Sequence, residues 1–460
     1  GRSLQGEGKY AQAIKAYEEF LIWKPNHVLA LEGISGCKFA IDHKETKTTR
    51  YIVKQAKLFN SRRSDFCPMF LDGNFDQLYF SSTNEKSTGD NKSEITGTKK
   101  SDIFFSKKDE QGEWQRPEPV EGELNSDRDE GVISFSPDGT TMYLTKARRE
   151  LNSSTGVEIY TSQRSDAKWS APVKLEITSD TLSSYGHPAV SPDGTYLYFT
   201  SEMPGGSGGK DIWRINLKER AGSLENLGNT LNTQGEESFP YVKSDSVIYF
   251  ASDGHPGYGG LDLFRAELQS NGEWKVVNMG TPMNSAADDF GITFAGATED
   301  GFFTSNRGQK KGYDLIYSFT LPQLEFIIEG KILNTDGEHL SEATLRLVGN
   351  DGTNVKTQIR RDGTYRLKLN KDTRYAMLAT SRGFLNQKHT FATEGLKDSH
   401  TYEQDFTLAP ISKPVKMDNI FFKFGSWELT SDSEAGLKAL VKLLNDNPNI
   451  TIELAAHTDL

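Results

Sequence analysis

Residues 205–209, Gly-Gly-Ser-Gly-Gly, match the G-x-S-x-G spacing that presents a serine nucleophile. That chemistry needs a buried strand before the serine, a helix after it and a base within reach. Here the stretch lies between two segments that read as strands, and GYGGLD at 257–262 takes the same place with no serine. No helix and no Gly-Lys-Ser/Thr follows, so the loop is not a phosphate cradle either. Asn125, Asp127, Asp129 and Glu130 have the composition of a calcium loop, which needs several carboxylates converging on one ion. The matching segments NSRRSDF, NTQGEES and NSAADDF keep only the late acidic residue, so these are read as structural turns. The eight histidines are scattered, with no HExxH or paired spacing. Cys37 and Cys67 form no C-x-x-C and are read as two buried thiols. No catalytic residue, metal site or cofactor is expected.

These loops are parts of a repeat. SPDGTYLYFTS at 191–201 is echoed at 136–145, 242–252, 70–82 and 298–305. After each copy comes a turn and then a short strand: SDIFFS, VEIYTS, KDIWRI, LDLFRA and YDLIYS. The acidic or leading residues of these strands are Asp102, Glu158, Asp211, Asp262 and Asp314, spaced by 56, 53, 51 and 52 residues. An Asp recurring in this way reads as a backbone tether, not an acid catalyst. LYFTS alternates as a half-buried strand should, and Pro-Asp-Gly supplies a tight turn. Four short strands at fixed period predict a propeller over 49–321, five-bladed, or six-bladed if a diverged unit is present. YIVKQAK at 51–57 is placed to close the ring against the final blade, which removes exposed edges.

Flanking segments differ in kind. Residues 1–48 hold two helical stretches broken at Pro25-Asn26. Residues 325–410 read as a small β-sandwich, with turns at Asp336-Gly337 and Asp362-Gly363. A Pro- and Lys-bearing linker follows. Within 415–460 the pattern is strand (Ile420–Phe424), helix and strand (Ile450–Ala455). Ser431 and Glu434 read as a capping box, and Leu437, Leu440, Val441 and Leu444 as one apolar stripe. The expected fold class is therefore multidomain and mainly β, with an N-terminal helical repeat, a propeller, a sandwich and a truncated α/β domain. A net charge of −11 over 460 residues argues against nucleic acid as the main partner. No run reaches the length of a membrane-spanning helix. The opening residues start inside a motif, so a preceding native segment is expected.

Four resemblances follow from these residues. Gly8-x-Tyr10-x-x-Ala13 with Pro25 resembles a tetratricopeptide repeat. The Pro-Asp-Gly…Leu-x-Phe and Asp-Ile-aromatic pairs resemble PD40, or TolB-type, propellers. Residues 325–410 are similar to the carboxypeptidase regulatory-like domain, a structural or binding module. Residues 415–460 resemble the first half of the OmpA-like domain, with its F-x-F-x-S and H-T-D motifs. That last resemblance implies peptidoglycan binding at His457, Thr458 and Asp459, with Asp459 holding the ammonium group of diaminopimelate in the stem peptide. The arginine that completes the family site lies on a later helix, so the site is incomplete in this stretch of chain. In this order the four modules resemble the PorE-like multidomain proteins of the type IX secretion system. The resemblance implies a non-enzymatic periplasmic scaffold, tied to the outer membrane by an N-terminal lipid, that anchors secretion or envelope proteins to the wall. Two alternatives stand beside it: an OmpA-family envelope-integrity lipoprotein unconnected with secretion, and a propeller-based hydrolase.

Overall fold

The run Leu197-Tyr198-Phe199-Thr200-Ser201 alternates large with polar side chains. In the computed structural model all five of these residues are buried. The structure describes residues 1–43, 49–88, 92–93, 97–148, 156–166, 168–180, 182–220, 222–413, 421–423 and 426–453. Alternation alone predicts a strand wet on one side. Instead, each such strand is covered on both faces, as in sheets stacked between neighbours.

The chain divides into two compact units, Gly1–Pro322 and Gln323–Leu460. Among the described residues, the first unit carries five antiparallel sheets. The first sheet comprises Asp65–Phe70, Gln77–Ser82, Asp102–Lys107 and Glu118–Pro119. The second has Glu130–Phe135, Thr141–Ala147, Val157–Ser165 and Val173–Lys174, with Lys168–Trp169 beside the third strand. The third and fourth repeat the order from Gly186–Val190 and Glu237–Ser244. The fifth, starting at Asp289–Phe294, takes its outer strand from Ile52–Gln55, which pairs antiparallel with Leu315–Thr320. The chain thus closes on itself through the segment at 52–55.

The first strands of the five sheets contact one another in sequence, and that of the fifth contacts that of the first, so the sheets form a ring. Five apolar cores lie between successive sheets. Tyr79 and Ile103 meet Met142 and Leu144, and Tyr143 and Ile159 meet Leu197 and Phe199. Tyr198 and Ile212 meet Ile248 and Phe250, and Tyr249 and Leu263 meet Ile292 and Phe303. Ile316 closes the circle on Leu78 and Phe80. Trp169 and Trp274 fill two of these cores.

Helices Tyr10–Trp23 and Val28–Asp42 form an N-terminal hairpin on this ring. Their core of Tyr10, Ala13, Tyr17 and Cys37 includes Tyr258 from the fourth sheet's glycine loop. Gln5 Nε2 donates to Gly259 O at 3.0 Å. Both cysteines are free and buried.

In the second unit, Phe326–Asn334 pairs with Thr364–Leu369, His400–Glu403 and Phe406–Leu408. Its partner sheet runs Asn354–Gln358, Thr344–Gly349, Arg374–Thr380 and Gln387–Ala392. Ile328, Ile332, Leu345, Leu347, Met377 and Phe406 pack between the two sheets. Asn354–Gln358 goes unread in sequence because it is a polar, mostly exposed edge strand.

The C-terminal segment departs from expectation. Of the two strands expected there, residues 420, 424, 454 and 455 lie outside the described residues; 450–453 are irregular, and Phe422 forms a single bridge to Leu429. Backbone groups beside it are met locally instead, with Lys423 N donating to Glu428 O at 2.8 Å and Thr430 N to Phe421 O at 2.9 Å. The helix Glu434–Asp446 forms, but with no capping box: it is preceded by the turn Ser431–Ser433, and no side chain caps it. Ser433 Oγ instead donates to Phe421 O and accepts from Phe421 N, both at 2.8 Å. Of the apolar stripe, Leu437, Leu440 and Leu444 are half-buried and Val441 is 56% exposed. Asn447 holds the helix end to the sandwich, accepting from Asn386 N at 2.6 Å and donating to Asn386 O at 3.1 Å.

Candidate functional site

The repeated polar residues form the frame of the ring. In four repeats an Asn begins the segment, a Ser or Thr follows, and an acid comes four residues after that: Asn60 to Asp65, Asn125 to Glu130, Asn232 to Glu237, and Asn284 to Asp289. Each Asn Oδ1 accepts the N–H of a residue on the third strand of the preceding sheet: Ile316, Ile103, Ile212 and Leu263, at 2.7 or 2.8 Å. Each Nδ2 donates to the carbonyl of that same residue at 2.8 to 3.1 Å. The carboxamide therefore acts as one more rung of the ladder, joining sheet to sheet.

The acids lie within this frame. Asp65 accepts from Ser61 N and Ser82 Oγ, both at 2.5 Å. Glu237 accepts from Thr233 N at 2.6 Å, Thr233 Oγ1 at 2.8 Å and Ser252 Oγ at 2.6 Å. Asp289 pairs with Arg307 at 2.5 Å, and Glu130 with Lys146 at 2.7 Å. Burial raises all four carboxyls, Asp65 to about 6 and Glu237 to about 7. Of the loop suspected of holding calcium, Asp129 accepts from Ser101 N at 3.0 Å, Asn125 clamps Ile103 and Glu130 holds Lys146. These residues serve the turn.

Glu237 gives a pH prediction. Its raised value means the folded state holds a proton that the unfolded chain releases near 4.5. Its contribution to stability is fully present below that pH and is lost as pH rises through about 7. His187, lowered to about 3, and His255, also lowered, act in the opposite sense below their ordinary value, so the test is a difference. The stability of the parent relative to Glu237→Gln should fall by roughly 2 kcal/mol between pH 5 and 8 in urea denaturation. A pH-independent difference would contradict it.

The strand-initial acids tether loops. Asp211 accepts from Ser207 N at 2.6 Å and Asn226 Nδ2 at 2.8 Å, Asp102 from Thr88 N at 2.6 Å, and Asp262 from Gly259 N at 2.9 Å. Ser207 stands between strands Tyr196–Ser201 and Asp211–Asn216, so no elbow forms. The glycines beside it serve close approach: a Cβ on Gly208 would lie 2.4 Å from the Gln234 backbone, and one on Gly259 2.0 Å from Ala287 O. Gly259→Ala should therefore destabilise the ring by about 2 kcal/mol. An unchanged thermal midpoint would show that the loop can move aside.

The axis of the ring is closed by a repeated bulge. Cys67, Val132, His187, Phe239 and Gly291 occupy equivalent first-strand positions, all with φ between 40° and 60°. Cys67, Val132 and His187 each donate N–H to a hydroxyl of the preceding sheet, on Thr304, Ser81 and Thr145. His187 stacks on Phe239 at 4.0 Å, and Phe239 contacts Phe290 at 4.6 Å.

A cavity of about 680 Å3 lies between the N-terminal hairpin and the glycine loops. Its carboxylates are engaged: Asp253 with Arg2 and Glu236 N, and Asp288 with Leu261 N and Asn306. It offers polar contact and no nucleophile–base pair among the described residues. His457, Thr458 and Asp459 lie outside the described residues.

No protein-family model matches the chain, and no curated protein matches it. Among solved structures it is similar to TolB from Acinetobacter baumannii, with 16% identity over 57% of this chain and 55% of that one and a TM-score of 0.32. The chain thus spans about half the length of that protein. It is also similar to a structure described as a glycoside hydrolase, with 11% identity over 62% of this chain and 95% of that one, TM-score 0.37. A Mycobacterium tuberculosis puromycin-hydrolyzing peptidase matches at 10% identity over 59% of this chain and 37% of that one, TM-score 0.29. Likenesses of this size carry no argument about activity or partner. No helix among the described residues is long and apolar enough to cross a membrane.

Proposed function

We propose that the protein is a non-enzymatic periplasmic scaffold whose five-bladed propeller and helical hairpin dock other envelope proteins and whose OmpA-like end grips peptidoglycan. The observation that carries this reading is the use made of the repeated acids. Asp65, Glu130, Glu237 and Asp289 each have donors from the protein's own frame, so the recurrent chemistry of the chain is architectural. The F-x-F-x-S and H-T-D motifs at 422–426 and 457–459 support the wall contact, with Asp459 as the carboxylate for a diaminopimelate ammonium group. An N-terminal lipid would hold the body to the outer membrane. Type IX secretion subunits are the partners proposed for the docking faces. Crosslinking in the native envelope followed by purification tests this. Recovery of secretion subunits with the protein is expected. Recovery of wall fragments alone would favour an envelope-integrity role, and turnover of generic peptide or glycoside substrates would contradict a scaffold.

A further inference from the structure

The gap between an Asn segment and the sheet that follows it is filled in three repeats by a side chain of that sheet. In the fourth, the His255 ring lies 5.8 Å from Phe250 and 5.1 Å from Phe264, which are cross-strand partners, and its Nε2 meets Leu231 O at 2.8 Å. In the fifth, the Arg307 guanidinium lies 5.2 Å from Phe303 and 5.3 Å from Tyr317, again partners, and donates to Met283 O at 2.5 Å. In the third, Met203 packs with Phe199 and Trp213. Leu231 and Met283 immediately precede the clamping Asn232 and Asn284, as Phe59 precedes Asn60.

The first sheet has the same walls, but at the position of Met203 and Arg307 it carries the short Asn84, whose Oδ1 accepts from Lys86 N at 3.0 Å. Phe80 and Phe104 are cross-strand partners, and Phe59 packs against them. Beside them lies a cavity of about 350 Å3, lined also by Lys57, Lys86 and Arg116. The Phe59 carbonyl, equivalent to those that His255 and Arg307 meet, accepts no hydrogen bond among the described residues. Lys57 and Arg116 are exposed and have no ion-pair partner among the described residues, while Lys86 is shared with Glu118 at 2.6 Å. The one carboxylate in the lining, Asp65, has its two oxygens on Ser61 N and Ser82 Oγ.

We propose that this open slot of the first sheet is a binding site for a planar aromatic carboxylate. The ring takes the place that His255 and Arg307 take elsewhere, a ring hydroxyl or N–H meets the Phe59 carbonyl, and the carboxylate lies among Lys57, Lys86 and Arg116. The inference stands independently of the peptidoglycan reading. A free aromatic acid and a chain ending in tyrosine share this chemistry.

Titration calorimetry with 4-hydroxyphenylacetate and with the peptide Gly-Gly-Tyr tests the site and separates the two sources, the tighter ligand naming its own. The neutral 4-hydroxyphenethyl alcohol and inorganic phosphate serve as controls. Binding of an acid to the parent, weakened about tenfold or more in Lys57→Ala/Arg116→Ala and unchanged in Lys397→Ala, is expected. The proposal is overturned by no binding of either acid up to on the order of 10 mM. It is equally overturned by affinity untouched in the double variant, or by controls that bind as well as the acids.

Discussion

Lys146→Ala is expected to cost the first unit about 4 kcal/mol of stability, the largest effect of any single change considered for this protein. Lys146 is 4% exposed and Glu130 is fully buried, with Nζ and Oε1 2.7 Å apart. Removing the ammonium leaves a carboxylate with Ser126 alone to answer it. The carboxyl can escape by taking up a proton, so the loss should be smaller at pH 5 than at pH 8. The other repeats show what the position tolerates. The residue facing the equivalent acid is Ser82 opposite Asp65 and Ser252 opposite Glu237, each donating a neutral hydroxyl. Lys146→Ser should therefore lose less than Lys146→Ala. Urea denaturation at the two pH values measures this, and a change within about 0.5 kcal/mol for the alanine variant would refute the role given to the pair.

Asn232→Ala is expected to cost about 3 kcal/mol. The side chain is 1% exposed and makes three hydrogen bonds, from Ile212 N, to Ile212 O and to Asn226 Oδ1. Its loss orphans the N–H of Ile212 inside the ring and leaves the Ile212 carbonyl with only the bond from Leu227 N at 3.2 Å. Asn232→Asp retains an acceptor for Ile212 N but loses both donated bonds, and should fall between parent and alanine. The second repeat lacks this clamp: the 181–188 segment has no Asn, and Ile159 O keeps only the backbone bond from Leu175 N at 2.9 Å, the counterpart of Leu227 N to Ile212 O. That backbone bond accompanies the clamp in the third sheet and stands without it in the second. If thermal unfolding of Asn232→Ala matches the parent, the backbone bond alone suffices in the third sheet as it does in the second.

Much of the frame was legible because it repeats. The Asp-Gly turns, the paired strands and the closing segment at 52–55 recur or sit where a ring must end. Three things were not. The burial of both faces of Leu197–Ser201 depends on neighbouring sheets, which local alternation cannot report. The role of the Asn segments needs partners far away in sequence, Asn60 reaching Ile316 across 256 residues. The slot in the first sheet shows only by comparison among the sheets, because its signal is a filling side chain, present in the third, fourth and fifth, that Asn84 replaces in the first. At the C-terminal end, local patterning announced the helix Glu434–Asp446 correctly and its capping box wrongly. Ser433, the last residue of the turn, bonds to Phe421 across the segment instead.

Co-sedimentation with diaminopimelate-containing sacculi tests the central claim most directly. The full-length protein and its Asp459→Ala variant are compared, with Glu237→Gln as a variant changed only in the ring. The scaffold account predicts that the parent and Glu237→Gln pellet with the wall and that Asp459→Ala stays largely in solution. Equal pelleting of all three, or of none, would contradict an anchor at Asp459.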